Sequence, residues 1–467
     1  MSGAERRMSD AESLMWRLDK DPHLSSTFGT VSILDRPPDF DRLRARMERA
    51  IHDVPRLGWR VHPAPVTLSA PLWVDDPDFD IDQHVRRVAV PPPGDLRQVL
   101  DLASLIVLDP FDRSRPLWQF VVVEGLPDGR AALVQKMHHT ITDGEGGVQM
   151  SLQYLDFERD APDPPAITAA LDAAPSPPPP TTVETLRDLL LGGIRLPIGI
   201  ARQVHELLAD PAAIPAASAA TFDTVRGVLA QLTDVERARS PLWTQRSLRR
   251  RMEVVRAPFR ETKDAATRLG GTLNTAFLTA AADAAARYHA ELDAPVDELR
   301  ATMAVSTRTA ASGANAWSLA RMMVPTGEMP IADRFRAIHE IAEAARSDSG
   351  GASLDTLAAV ATALPTSVVT RLARQQAQTV DFATSNVRGA PMPMYITGAQ
   401  LLENYPLGPL AGVAFNLTLL SYLGSLDMGV NIDAVAVAEP ERLARALERS
   451  FKDLTGARVR RARRRAP

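Results

Sequence analysis

The sequence predicts an α/β protein of two domains, and three observations lead to this prediction. The chain has 467 residues, more than one hydrophobic core usually organises. Segments with the period of amphipathic helices alternate with segments that have the two-residue period of strands. A stretch rich in proline and alanine, typical of a semi-rigid surface linker, ends in the prolines at 177–180. We therefore predict an N-terminal domain at 1–160, a linker with a crossover helix at 161–220 and a C-terminal domain at 221–467.

The predicted N-terminal domain combines helices with an antiparallel hairpin. A charged amphipathic helix is indicated where Leu43, Met47 and Ile51 recur at helical spacing. Further along, a Pro-Asp-Gly turn separates two apolar segments with the alternation of strands. The predicted elements are helices at 11–18, 39–51, 96–105 and 145–155 and strands at 119–124 and 131–138.

The predicted C-terminal domain contains a long alanine-rich helix and several strands, and it ends in a basic tail. The predicted elements are a helix at 273–288 and strands at 301–306, 379–385, 413–421 and 426–432. Six arginines lie in the tail at 458–467. This tail is either a disordered solubilising segment or a contact for anionic lipid headgroups, to which each basic residue would contribute about 1 kcal/mol.

Composition and charge exclude several classes of function. A net charge of −4 argues against nucleic acid as the main partner, because phosphate binding needs a basic field. The chain has no cysteine, so disulfides, cysteine-ligated zinc and a thiol nucleophile are excluded. No uninterrupted apolar segment is long enough to span a bilayer, and the N-terminus lacks the apolar region of a signal peptide. We therefore expect a cytoplasmic protein.

Two adjacent histidines follow the second strand of the predicted hairpin. Because side chains alternate between the faces of a strand, Gln135, Met137 and His139 share one face, whereas Lys136 and His138 share the other. Histidines that point in opposite directions cannot easily bind one ion, so a metal site is disfavoured. A neutral imidazole at the mouth of a strand and loop could act as a general base; a buried structural histidine is the alternative interpretation.

An aspartate and a glycine-rich segment follow the histidines. Asp143 lies on the turn into the next predicted helix. Its carboxylate could cap that helix by accepting backbone N–H groups, and it could also hold the loop in shape by pairing with an arginine. Gly144, Gly146 and Gly147 allow close backbone approach or unusual dihedral angles.

Several motifs in a fixed order resemble one enzyme family. Residues 138–144 read HHTITDG and match the HHxxxDG motif of acyltransferases that depend on coenzyme A. With the surrounding motifs, the chain from about residue 8 to residue 454 resembles the bacterial wax ester synthase/acyl-CoA:diacylglycerol acyltransferase family. The supporting motifs are DPDFD at 76–80 with His84, RPLW at 115–118, TSNV at 384–387 with Gly389, and NLTLLSY at 416–422 with Gly424.

This resemblance implies a fold and a reaction. Each half would be a domain of chloramphenicol acetyltransferase type, a mixed sheet flanked by helices, with the active site at the interface. A channel there would admit acyl-CoA from one side and the alcohol from the other. His139 would take the proton from the hydroxyl of a diacylglycerol or a long-chain alcohol as its oxygen attacks the thioester. No acyl-enzyme and no permanently bound cofactor would be needed, because acyl-CoA is the co-substrate.

The resemblance also implies supporting roles for other residues. Oxyanion donors would be backbone N–H groups near Gly144 and the side-chain amide of Asn274, and loss of one such donor costs about 3–4 kcal/mol. Asp143 would pair with Arg308 of the second domain, for which a surface guanidinium is the alternative interpretation. His138 would support the fold. Asn386, Gln135 and Trp118 would contact substrate, although Asn386 could equally be a turn residue.

Two departures from the family pattern affect this interpretation. Thr275 follows Asn274 where the family commonly has an aspartate, which leaves the acceptor preference and the rate open. Arg388 and Ala390 stand where the family has prolines, so this loop is less stiff.

Alternative functions and locations remain open from the sequence alone. The alternatives are a non-catalytic protein that binds lipid or acyl-CoA, and acyl transfer to another hydroxyl or to an amine. Both proposed substrates dissolve in membranes, so peripheral docking at the inner membrane face or at a lipid droplet is expected. The basic tail and the apolar run at 189–200 could provide it, or the apolar run could pack against its own domain.

Overall fold

The computed structural model describes residues 6–63, 70–142, 144–163, 237–306, 317–347, 358 and 366–457. The predicted crossover helix, the apolar run at 189–200 and the basic tail lie outside the described residues. The described part confirms the α/β class. Its helices are α1 (Asp10–Leu18), α2 (Phe40–Asp53), α3 (Leu96–Leu108), α4 (Gly144–Ser151), α5 (Phe259–Arg268), α6 (Leu273–Glu291), α7 (Ile331–Ser347), α8 (Thr366–Ala377) and α9 (Pro440–Gly456). Its strands are β1 (Thr27–Leu34), β2 (Trp59–His62), β3 (Leu72–Asp75), β4 (Val85–Ala89), β5 (Trp118–Glu124), β6 (Ala131–His138), β7 (Arg250–Pro258), β8 (Glu298–Ser306), β9 (Trp317–Pro325), β10 (Phe382–Arg388), β11 (Tyr395–Ile396), β12 (Ala399–Leu407), β13 (Phe415–Tyr422) and β14 (Ser425–Asp433).

The first large sheet has the strand order β11-β12-β1-β6-β5-β4. Its central strand, β6, pairs antiparallel with β1 on one side and with β5 on the other. The alternation along β6 divides two cores: Leu133 and Met137 lie in one, and Ala132 and Val134 lie in the other. The bounds of β6 agree with the strand predicted at 131–138, because the hairpin turn and the alternation are both local signals.

Two strands of the first sheet come from the far end of the chain. β11 and β12 belong to residues 395–407, and β12 pairs with β1, with Gly29 opposite Leu407. The first sheet therefore includes residues from the segment 221–467, which was predicted to form a separate domain. At Gly429 of β14, a Cβ atom would lie 2.1 Å from the carbonyl oxygen of Pro406 in β12. Only glycine permits this close approach of the two backbones.

The second large sheet has the strand order β7-β14-β13-β10-β8-β9. β10 runs parallel to its neighbours β13 and β8, and the other described pairs are antiparallel. The predicted alanine-rich helix is α6, whose buried alanines let it pack closely within the core of this half. Helices α7 and α9 pack beside α6. Of the helices in the described ranges, none has the length and apolar character needed to cross a bilayer.

Candidate active site

The two sheets enclose a cavity of about 490 Å³. Strands β1, β6 and β12 of the first sheet and β10 and β13 of the second contribute to its walls, and most of the lining is apolar. Helices α1 and α8 line one end with Leu14, Met15 and Ala377 among others, and these helices pack against each other. The cavity therefore lies at the interface that the resemblance predicts for the active site.

His139 lies on the wall of this cavity. β6 ends at His138, and the next residue begins a turn. Gln135, Met137 and His139 all line the cavity, as the alternation of the strand predicts. The backbone N–H of His139 donates to the carbonyl oxygen of Ser26 at 3.0 Å, and the centroid of its imidazole lies 4.6 Å from that of the Phe28 ring. These contacts hold the ring at the cavity wall.

His138 points in the opposite direction and is fully buried. The backbone N–H of Thr140 donates to its Nδ1 at 3.2 Å. Because an N–H can only donate, Nδ1 accepts, and in the neutral ring the proton is carried by Nε2. Nε2 faces Oδ1 of Asp19 at 3.5 Å. The contacts of His138 are therefore those of a structural histidine with a fixed tautomer.

Helix α1 holds the histidine segment at two places, through residues that no sequence pattern predicted. Asp19 follows α1; burial acts to raise the pKa of its carboxyl, but the contact with His138, with smaller contributions from Ser25 and Arg113, brings that pKa below its ordinary value. Glu12, which is buried within α1, pairs with Arg56 at 2.5 Å. Arg56 also donates to the carbonyl oxygen of Thr140 at 3.3 Å.

Two asparagines meet where β10 approaches the start of α6, and one of them lines the cavity. Asn386 lies within β10 and lines the cavity, so it is not the turn residue of the alternative interpretation. Its side-chain N–H donates to the side-chain oxygen of Asn274, near the start of α6. Helix α4, which begins at Gly144, packs against β10. The structure thus brings these predicted site residues to one region.

Thr275 faces away from the cavity. It is buried, and its hydroxyl contacts Nδ1 of His339 in α7 at 3.1 Å and the hydroxyl of Thr272 at 3.0 Å. Thr275, which stands where the family commonly has an aspartate, therefore contributes to the contact between α6 and α7 and does not line the cavity.

Of the two other residues predicted to contact substrate, Gln135 lines the cavity and Trp118 does not. Gln135 lines the cavity and accepts a hydrogen bond at 3.1 Å from the hydroxyl of Tyr154, whose pKa burial raises. Trp118 does not line the cavity: its indole lies in the core, donates to the carbonyl oxygen of Leu57 at 2.7 Å and stacks on His84. This position corrects the prediction that Trp118 contacts substrate.

Some predicted residues cannot be placed. Asp143 and Arg308, the predicted ion pair, lie outside the described residues. Within the described ranges, no group of three or more His, Asp or Glu side chains is arranged to hold a metal ion.

Comparisons with known proteins bear on the whole chain. The family description "Wax ester synthase/diacylglycerol acyltransferase catalytic domain" matches residues 8–277, and "WS/DGAT C-terminal domain" matches residues 314–455. A Mycobacterium tuberculosis protein named as a diacylglycerol O-acyltransferase is 35% identical over 97% of this chain and 93% of its own length. A second protein so named from that organism is 28% identical over 92% of this chain and 91% of its own length.

Solved structures agree in fold. The wax ester synthase/diacylglycerol acyltransferase from Marinobacter aquaeolei VT8 aligns with a TM-score of 0.66 and 22% identity over 97% of this chain and 100% of its own. A starter condensation domain of rhizomide synthetase, solved with C8-CoA and Leu-SNAC, aligns with a TM-score of 0.53 and 14% identity over 97% of this chain and 94% of its own. These neighbours are consistent with the predicted two-domain fold of chloramphenicol acetyltransferase type. The family matches and the identity to the mycobacterial proteins show that this chain belongs to the wax ester synthase/diacylglycerol acyltransferase family, whose members are acyltransferases.

Proposed function

We propose that this acyltransferase transfers a long-chain acyl group from acyl-CoA to diacylglycerol, to a long-chain alcohol, or to both, with His139 as the general base. The observation that carries the proposal is the position of this imidazole on the wall of a largely apolar cavity between the two sheets. An apolar cavity with few polar groups suits hydrocarbon chains, and a neutral imidazole is the base available near neutral pH.

The proposed reaction is a direct transfer in one site. The imidazole of His139 accepts the hydroxyl proton as the alcohol oxygen attacks the thioester carbonyl and a tetrahedral oxyanion forms. When the intermediate collapses, the carbon–sulfur bond breaks, and the leaving thiolate takes the proton from the imidazolium. Ester and free coenzyme A are the products. The absence of cysteine from the chain agrees with a route that has no thiol-linked acyl-enzyme.

Asn274 is the proposed oxyanion donor, together with backbone N–H groups near Gly144. Asn386 donates to the side-chain oxygen of Asn274, and this contact fixes the orientation of the Asn274 amide. The N–H groups of Asn274 are therefore the ones that would donate to an oxyanion. A donor held before the reaction stabilises developing negative charge more effectively than one that must reorient. The ion pair between Asp143 and Arg308 is proposed to hold the loop that carries His139.

Substrates of this kind partition into lipid, so we propose that the enzyme works in peripheral contact with a membrane or a lipid droplet. Acyl-CoA is the proposed co-substrate, and the chemistry requires no permanently bound cofactor.

Release of free thiol from palmitoyl-CoA by the purified protein tests the proposal. The assay is run with hexadecanol, with a diacylglycerol and without acceptor. We expect release that depends on the acceptor, that His139→Ala lowers by about 10²- to 10⁴-fold, and that His138→Ala only reduces. Saturable binding of acyl-CoA without turnover would favour a lipid-binding protein, and release that His139→Ala leaves unchanged would contradict the mechanism.

A further inference from the structure

One arginine of the cavity wall has no role in the proposed reaction. Arg321 lies on β9 opposite Thr302 of β8, and both residues line the cavity. Among the described residues of the lining, Arg321 is the only one with a permanent charge, and none is an aspartate or a glutamate. Within the described lining, Arg321 therefore adds a positive charge to otherwise apolar and neutral surroundings.

In the part of the chain that the structure describes, no carboxylate pairs with Arg321. Its guanidinium donates to the side-chain oxygen of Gln376 at 2.7 Å, which is a neutral acceptor. Burial lowers the pKa of Arg321, and the like charge of Arg300 lowers it further. By contrast, Arg46 and Arg334 lie against carboxylates at 2.5 and 3.2 Å. Despite its partial burial, the side chain of Arg321 is exposed, so its guanidinium can meet an anionic ligand that enters the cavity.

We propose that Arg321 binds a phosphate group of the coenzyme A part of the acyl donor. This inference rests on the proposed function in one respect, namely that the donor is a coenzyme A thioester. Guanidinium groups are preferred ligands for phosphate, because their planar array of N–H donors matches its oxygens.

The position of Arg321 within the second sheet agrees with this assignment. Thr302 pairs with Arg321 on one side and with Ala383 of β10 on the other, and Asn386 lies further along β10. With strands about 4.8 Å apart and a rise of about 3.3 Å per residue, the backbones of Arg321 and Asn386 are separated by about 14 Å. The pantetheine arm separates the thioester from the phosphates of coenzyme A. This separation is compatible with a thioester near His139 and Asn386 and a phosphate at Arg321.

Calorimetric titration of the full chain with coenzyme A, dephospho-coenzyme A and pantetheine tests the inference without requiring turnover. We expect Arg321→Gln to weaken binding of coenzyme A by about tenfold or more and to leave binding of pantetheine unchanged. Arg321→Lys should restore part of the affinity because it keeps the charge. Arg336→Gln, on an exposed arginine of α7, makes the same chemical change elsewhere and should have no effect. Dephospho-coenzyme A reports which phosphate is bound, because only a contact with the 3′-phosphate is lost with that ligand.

Unchanged affinity of Arg321→Gln for coenzyme A, or equal weakening for coenzyme A and pantetheine, would overturn the inference. So would an effect seen only in a parallel titration with palmitate, which would assign the arginine to a fatty-acid carboxylate. If Arg321→Gln does not fold, Arg321→Lys provides the test: it should bind coenzyme A more weakly than the wild-type protein, because it lacks the planar array of donors, and should bind pantetheine equally well. Failure of the proposed function would appear separately, as absence of turnover by a wild-type protein that binds coenzyme A normally.

Discussion

The contact between Asp19 and His138 provides a quantitative test of how the histidine segment is held. Asp19→Asn keeps the size of the side chain and removes its charge. A hydrogen bond to a charged group contributes about 1.5–3 kcal/mol. The separation of 3.5 Å exceeds the usual range, so we expect a loss of about 1 kcal/mol in the free energy of unfolding.

The loss of stability in Asp19→Asn should depend on pH, and the pKa of Asp19 determines the direction of this dependence. The pKa of Asp19 is lower in the folded protein than in an unfolded chain, so its charge stabilises the fold above the ordinary carboxyl pKa of about 4. This stabilisation is lost as the pH falls through the folded-state pKa. The difference between wild type and Asp19→Asn should therefore be full at pH 7 and should shrink below about pH 4.

Urea unfolding at several pH values measures this difference, and a double-mutant cycle with His138→Ala isolates the pairwise part. Asp41→Asn, on an exposed residue of α2, serves as the matched control. Because His139 follows His138 directly, we also expect Asp19→Asn to lower kcat by roughly tenfold through misplacement of the base, with the KM for acyl-CoA unchanged. Equal stability of wild type and variant at pH 7, or strict additivity with His138→Ala, would show that the contact between Asp19 and His138 does not stabilise the fold.

Three further substitutions test other parts of the account. Gly429→Ala should lower the free energy of unfolding by about 3 kcal/mol, because the new methyl group meets the carbonyl oxygen of Pro406; a denaturant midpoint equal to that of wild type would contradict the close crossing of β14 and β12. Asn386→Ala should lower kcat by about tenfold by releasing the amide of Asn274, with the KM for acyl-CoA little changed; a pure KM effect would instead indicate a substrate contact. Trp118→Phe should cost about 2 kcal/mol of stability and leave kcat and KM unchanged at a temperature where the variant is folded, whereas a specific rise in KM would restore the substrate role.

Local patterns in the sequence predicted much of the fold. The bounds of β6 follow from a hairpin turn and from the alternation of its side chains, which also separates the directions of His138 and His139. The long helix α6 follows from its run of small, helix-favouring residues. The family motifs added the expectation that Asn274 and Asn386 belong to the site, and the structure brings them into contact.

Features made by distant segments could not be predicted in the same way. The pairing of β12 with β1 leaves no mark in either segment that identifies its partner. Asp19 meets His138 only after α1 has docked, and Arg321 enters the cavity from β9, for which no strand was predicted. Trp118 belongs to a family motif, but the alternation of β5 directs its indole into the core. A motif can therefore mark the neighbourhood of a site without each of its side chains contacting the substrate.

The proposed reaction depends on removal of the proton from the acceptor hydroxyl by His139. Its most direct test is the single-turnover rate of ester formation at saturating palmitoyl-CoA and acceptor, compared between wild type and His139→Ala, once coenzyme A titration has shown that the variant binds normally. We expect a fall of about 10²- to 10⁴-fold in this rate with little change in coenzyme A affinity. A His139→Ala variant that forms ester at the wild-type rate would contradict the proposed role of His139.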